Sequence, residues 1–236
     1  IPVSTLADWV AGVAERILPL VDLLAARVLR AVVVRTDATG LQVLDPRSAS
    51  HTVSGTMWCM VGDDRDVVFR YTPTGDGATG PWTFLAGRVG YLQADAASIF
   101  DRLFKGEVAS AIEVGCNAHA RRRLVALLAT DCRAAYPIKL FARIYRIERL
   151  ADAQQLSVED RTKLREERAP ALREKLHRWL LATREHEPPG SDMAKAVGYI
   201  LNQWEALGRF VHDGCLSLDN NLCERQLRDI AIGRRN

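Results

Sequence analysis

Apolar residues recur at helical spacing near the start of the chain, at Leu6, Trp9, Val10, Val13, Ile17, Leu20 and Leu24, and predict a leading helix over residues 5–30. Thr5 and Asp8 stand as a capping box at its start, and Pro19, which lacks an amide hydrogen, predicts a kink or break. The period then changes. Ala31-Val32-Val33-Val34-Arg35-Thr36-Asp37 is a short β-branched run ending in an acid, and Ala38-Thr39-Gly40 reads as a turn. Residues 51–61 and 66–71 predict two more strands joined by the polar turn Gly62-Asp63-Asp64-Arg65, so the opening is a three-stranded meander. A glycine-rich loop over residues 74–80 and a short helix over 81–86 lead to the strand Gly90-Tyr91-Leu92-Gln93-Ala94-Asp95, which again delivers an acid. A helix over 96–104, a fifth strand over 111–116 and a helix capped by Asn117 complete the order β-β-β-α-β-α-β-α.

From residue 137 to residue 214 the strand signal disappears and charge rises. Ser157 with Asp160 opens one helix, and Pro188-Pro189-Gly190-Ser191 separates the Arg-, Lys- and Glu-rich stretch before it from another helix through Trp204 and Phe210. Beyond Asp213-Gly214, Asn221 and Glu224 are spaced as a capping box for a closing helix. The expected organisation is a leading helical segment (1–30), the first part of an α/β core (31–136), an all-helical insertion (137–214) and a core-closing helix (215–236). The expected fold class is α/β, a five-stranded mixed sheet flanked by helices.

At 236 residues, 48% hydrophobic and 26% charged, the chain is long enough to bury a sizeable core. No apolar stretch approaches the roughly 18 residues that cross a bilayer, and the first residues lack the layout of a signal peptide, so no membrane partner and a cytoplasmic location are expected. Five irregularly spaced cysteines argue against a disulfide framework and fit a reducing compartment. A start without Met and an end at Arg234-Arg235-Asn236 are expected of a piece of a longer protein. The net charge of +3 is too small to identify a nucleic-acid partner by itself. Its distribution is more informative: Arg121-Arg122-Arg123 follow Cys116 and His119, and Arg225 and Arg228 lie on the closing helix.

Three acids occupy distinctive places, Asp37 ending the first strand, Asp95 ending the fourth, and Glu224 on the closing helix. Each has an ordinary alternative, since Asp at a strand end commonly shapes a turn and Glu224 fits a capping box. If the first and fourth strands are neighbours, as in a ribonuclease H-like sheet, one topology converges all three. Clustered carboxylates repel, and divalent cations remove that cost, so Mg2+ or Mn2+, as a pair of ions, is the expected cofactor for phosphoryl transfer. Cys116 and His119 have zinc-ligand spacing but no second pair nearby, which leaves a tetrahedral site incomplete. Asp219 is a further acid, expected to cap or to support the others. Trp179 and Trp204 offer stacking faces, though aromatics at helical spacing more often pack in a core.

The segment Leu218-Asp219-Asn220-Asn221-Leu222-Cys223-Glu224-Arg225, with Arg228 and Ala231-Ile232-Gly233-Arg234-Arg235-Asn236, resembles the stretch that closes the catalytic core of transposases of the insertion sequence 66 family. Cys116-Asn117-Ala118-His119-Ala120-Arg121-Arg122-Arg123 is similar to that family's Cys-x-x-His-x-Arg-Arg stretch, and the segments around Asp37 and Asp95 match its two aspartate segments in order. Ala38, Ala96 and Asn117 depart from the usual Glu, Gly and aromatic residue and leave the three carboxylates in place. The resemblance implies a DDE transposase with a ribonuclease H-like core, in which Asp37, Asp95 and Glu224 bind the catalytic metals. It further implies that His119, Arg121, Arg122, Arg225 and Arg228 face DNA, and that the partners are transposon ends and target DNA, a second copy of the chain and accessory transposition proteins. It also implies a DNA-binding region upstream and a tail downstream of this chain. A ribonuclease H-like nuclease that only hydrolyses, and a non-catalytic DNA-binding derivative, are the alternative functions.

Overall fold

A computed structural model describes residues 1–105 and 110–233 of the chain. The elements in order are α1 (Val3–Leu29), β1 (Val33–Leu44), β2 (Thr52–Gly62), β3 (Asp66–Thr72), α2 (Pro81–Phe84), β4 (Gly90–Gln93), α3 (Asp101–Phe104), β5 (Ala111–Val114) and α4 (Asn117–Leu127). Then follow α5 (Ala135–Ala153), α6 (Val158–Arg168), α7 (Pro170–His186), α8 (Asp192–Asn202) and α9 (Asn221–Gly233). The strands form one mixed sheet in the order β3-β2-β1-β4-β5, flanked by helices. Arg234, Arg235 and Asn236 of the closing motif lie outside the described residues.

By contact density the chain divides into two compact units, the first comprising Ile1–Tyr91, Ile99–Ala111 and Leu222–Asn236, the second Leu92–Ser98 and Ile112–Asn221. In the first, β1, β2 and β3 are a continuous antiparallel meander, with Asp37 opposite Cys59 and Cys59 opposite Phe69. Two local expectations give way here. β1 runs through Ala38-Thr39-Gly40, because pairing Gly40 with Thr56 and Thr39 with Met57 satisfies their backbone groups and outweighs turn propensity. Asp37 is therefore inside a strand, not at its end.

α1 is likewise continuous through Pro19 and begins at Val3, with Pro2 as its N-cap and no side-chain cap bond, so the Thr5–Asp8 box is not formed. Packing holds the second half of this helix against β2 and β3. Val28 is buried, Arg70 donates to Asp22 at 2.8 Å, and Arg27 pairs with Asp66 at 2.6 Å. The first half carries Leu6, Trp9, Val10 and Val13 in the open. On the sheet, Trp58 donates its indole N–H to Thr72 at 2.8 Å and meets Phe100 edge-on at 6.3 Å.

The second unit is helical apart from the ends of β4 and β5, and residues 137–214 contain no strand. Of its helices, α6 and α8 start at serine caps. Ser157 Oγ accepts the Asp160 N–H at 3.1 Å, Ser191 Oγ accepts the Ala194 N–H at 3.0 Å, and Pro170 sits in the first turn of α7, where its missing donor costs nothing. Phe141, Ile144, Leu176, Leu180, Val197, Ile200 and Phe210 are buried. At their edge lies a buried cation, Arg165, whose five N–H groups are all used: two on Glu148 and one each on the carbonyls of Phe210, Asp213 and Leu216.

Three further expectations are corrected. β5 stops at Val114, because Gly115 N–H donates to Ala206 O and Asn117 N–H to Leu218 O, which turns the backbone off the ladder. Asn117 does not cap α4; its buried amide donates to Leu207 O at 3.2 Å and Leu218 O at 3.1 Å instead. Residues 96–104 are not one helix: Asp95 accepts the Ala97 N–H, an Asx turn that delays helix formation to the short 3-10 turn at Ser98–Phe100 and then α3.

Candidate active site

Alternation along β1 puts Arg35, Asp37 and Thr39 on one face of the sheet. Their cross-strand partners Val61, Cys59 and Met57 share that face. α9 covers it: Cys223 and Leu227, one helical turn apart, are buried against Cys59 and Val61, with Met57, Val67, Leu222 and Ile230 around them. Glu224 follows Cys223 in the first turn of α9 and is half-buried, as is Asp37. The Cys223 thiol is held strongly in its neutral form by hydrogen bonding with Cys59, by burial and by the negative charge of Asp37, against the opposing pull of Arg35. The field of Asp37 thus reaches the residue next to Glu224. Arg35 is itself buried and pairs with Asp64.

Asp95 belongs to the second unit, two residues beyond the end of β4. Gln93, fully buried on that strand, donates to Gly115 O at 3.3 Å and Ser217 O at 3.0 Å, which anchors the segment that presents Asp95. Beside Asp95 stands Tyr199 of α8. Burial pushes its phenol pKa up, Arg123 draws it down, and the negative charge of Asp95 adds to the rise. The Arg123 guanidinium stacks 4.0 Å over the Tyr199 ring.

Asp219 is a supporting acid. It accepts the Tyr145 O–H at 2.8 Å and, at the start of α9, the Asn221 N–H at 3.1 Å. Cys116 Sγ accepts the Asn220 N–H at 3.3 Å, and burial pushes its thiol up to about 11. The buried Cys116 side chain serves as a packing group. Above these residues, Arg121 and Arg122 of α4, Tyr145 and Arg149 of α5 and Asn221 line a hollow of about 360 Å³. His119 stands 3.4 Å from Arg122. The hollow offers exposed guanidinium groups and no carboxylate among its lining residues, a setting for a phosphate.

Asp37 therefore lies on the face of β1 that α9 covers and Glu224 on α9 itself, Asp95 and the arginines of α4 belong to the second unit, and Arg225 and Arg228 are exposed on α9. Among the described residues no three Asp, Glu, His or Cys side chains are gathered as a metal-binding group. Arg123, Tyr145, Arg149 and Tyr199 were not singled out from the sequence. Arg123 was visible in the arginine run, and Tyr145 and Arg149 share a helix face, but the Tyr145–Asp219 bond links residues 74 apart. Trp204, a candidate for base stacking, instead stacks on His177 at 4.6 Å and carries Arg173 at 4.1 Å on its ring.

The cysteines provide a check on this packing. All five are free thiols, with Cys59, Cys116 and Cys223 buried and Cys132 exposed. Alkylation of the folded chain at pH 8, followed by mass spectrometry, is expected to modify Cys132 first and to spare the three buried thiols until denaturant is added. Early labelling of Cys223 would mean that α9 is not seated on β2.

Among the described residues no helix is long and apolar enough to cross a membrane. The chain is 30% identical to the uncharacterized protein y4hP of Sinorhizobium fredii (strain NBRC 101917 / NGR234), over 99% of this chain and 46% of that protein. It is 31% identical to the uncharacterized protein y4jD of the same strain, over 99% of this chain and 48% of the relative. The chain thus spans about half the length of the curated relatives it matches. The sequence model described as "Transposase IS66 family" matches residues 1–236, its whole length. The chain belongs to the IS66 family of transposases.

Proposed function

We propose that the chain is the catalytic core of a DDE transposase with a ribonuclease H-like sheet, cleaving DNA at transposon ends and joining the freed ends to target DNA. The observation that carries this reading is the seating of α9 on β2 through Cys223 and Cys59, because it lays the helix that carries Glu224 over the sheet face that bears Asp37. The sheet order supports the ribonuclease H-like reading, with the antiparallel meander on one side of β1 and the short strands β4 and β5 on the other.

Asp37, Asp95 and Glu224 are the proposed catalytic carboxylates, and their hard oxygen donors fit Mg2+ or Mn2+. Divalent ions bound there would neutralise the carboxylates and polarise the phosphoryl group under attack. The protein's own contribution is position. Asp37 is fixed by strand pairing and by the Ala38 N–H it accepts at 2.8 Å, and Glu224 by its helix, which Cys223 and Leu227 seat on the sheet. Asp219, held by Tyr145, orders the turn that begins α9. Arg121, Arg122 and His119 on α4, with Arg225 and Arg228 on α9, would bind the DNA backbone and offset its charge as the attacking oxygen approaches.

A strand-transfer assay with pre-cleaved element ends, supercoiled target and Mn2+ separates the alternatives. The expected product is the end joined covalently to target through its 3′ hydroxyl. Hydrolysis without joining would assign a nuclease, and binding without either reaction a DNA-binding derivative.

A further inference from the structure

The second unit carries a charged groove remote in sequence from all three proposed catalytic acids. It runs between α5 and α7, which pack side by side. One stretch, about 490 Å³ in volume, has Ile147, Leu150, Ala171 and Leu172 as its floor and Arg143, Arg146, Arg168 and Lys175 along its rim. Lys175 also borders a second hollow of about 500 Å³, lined by Tyr136, Arg178 and Trp179. The two stretches are therefore one track. On α5 the stripe Tyr136, Arg143, Ile147 and Leu150 follows helical spacing and spans about 21 Å at about 1.5 Å per residue. No acid lines either stretch. Arg168 and Arg178 make loose ion pairs, with Glu167 at 3.9 Å and Glu174 at 3.7 Å, while Arg143, Arg146 and Lys175 have no ion-pair partner among the described residues.

A cationic rim repels most partners and selects a polyanion, but an apolar floor is wasted on a bare phosphate backbone. Tyr136 is 47% exposed, and Trp179 is half-buried at the same end. Cations for phosphates combined with apolar and aromatic surface for unstacked bases is how proteins hold single-stranded nucleic acid. A duplex keeps its bases paired inside and would meet only the rim. We propose that the α5–α7 groove binds a single DNA strand, with phosphates on Arg143, Arg146 and Lys175 and bases over Leu150 and Tyr136. This rests on the reading of the chain as a DNA-processing protein and adds a site for an unpaired strand. An unstacked strand is more extended than the about 3.4 Å per nucleotide of a duplex strand, so the groove accommodates fewer than about six nucleotides.

The test measures binding of the 236-residue chain to a fluorescent 20-nucleotide single strand and to a duplex of the same sequence, over a range of salt concentrations. The variants are Arg143→Gln/Arg146→Gln/Lys175→Gln and Tyr136→Ala, all at exposed positions. The triple variant is expected to reduce the slope of log affinity against log salt by about 2 for the single strand, the loss of three contacts at about 0.7 each, with far-UV circular dichroism unchanged. Tyr136→Ala is expected to weaken single-strand binding about tenfold and duplex binding hardly at all. An unchanged single-strand slope overturns the proposal, and so does an equal loss for the duplex, which would mean that the rim senses backbone charge alone. Groove-dependent competition by an acidic peptide without any single-strand defect would assign the groove to a protein and likewise overturn it. The catalytic reading is scored separately. A chain that joins DNA while the groove variants bind normally loses only this inference, and one that binds single strands through the groove but neither cleaves nor joins loses only the catalytic assignment.

Discussion

Glu224→Gln is expected to lower DNA cleavage and joining by at least about a hundredfold while the chain stays folded. The amide keeps the size and reach of the side chain and removes its negative charge. α9 is held on the sheet by Cys223 and Leu227 in the Cys59–Val61 cluster, so the change leaves that seat untouched. A glutamate serving only the helix start would tolerate glutamine, which also fits a capping box. Asp219→Asn is the matched control. Its one carbonyl oxygen can keep one of the two bonds, from the Tyr145 O–H or from the Asn221 N–H, so a milder loss is expected. The measurement is the rate of end joining in Mn2+ with a protein whose unsubstituted form is active. Normal joining by Glu224→Gln would remove Glu224 from the catalytic set.

Arg165→Met is expected to destabilise the second unit by about 3–5 kcal/mol, a large share of the stability of a domain. Arg165 is 1% exposed and forms a fork on Glu148, with Nε at 2.7 Å and Nη2 at 2.6 Å. It also donates to Phe210 O at 2.8 Å, Asp213 O at 2.7 Å and Leu216 O at 2.9 Å. Methionine fills part of the volume but leaves the Glu148 carboxylate with only Arg161, at 3.0 Å, and three carbonyls without their donor. Arg165→Lys should recover little, since a single ammonium cannot replace the planar fork. Urea titration followed by circular dichroism reads the shift in midpoint. A loss below about 1 kcal/mol would mean that water or neighbouring donors replace the guanidinium.

Arg165 also illustrates what a linear reading misses. Within an Arg-, Lys- and Glu-rich helix it is indistinguishable from Arg161 or Arg168, and only the fold draws Phe210, Asp213 and Leu216 around it. The same holds for Asn117. Its sequence context reads as a helix cap, whereas its amide ties Leu207 and Leu218 together across the second unit. In both cases the decisive partners are backbone carbonyls far along the chain, which carry no side-chain signal.

What the sequence determined by itself was whatever depends on local period and local caps. The meander of β1 to β3 follows from β-branched runs and a polar turn, the helices of residues 137–214 from Ser caps and proline breaks, and family membership from the Asp219–Arg225 motif. These are short-range features, set by a residue and its neighbours within a few positions. The tertiary structure decided where strands and helices end and which side chains meet. Strand pairing carried β1 past Thr39-Gly40, and packing against β2 and β3 accompanied a helix continuous through Pro19. The seating of α9, which carries Glu224, over the face of β1 that bears Asp37 came from Cys223 and Cys59, residues 223 and 59 in the chain, buried against each other. Such contacts exist only once apolar surfaces have been removed from water, and their energy is shared by surfaces that no window of sequence contains together.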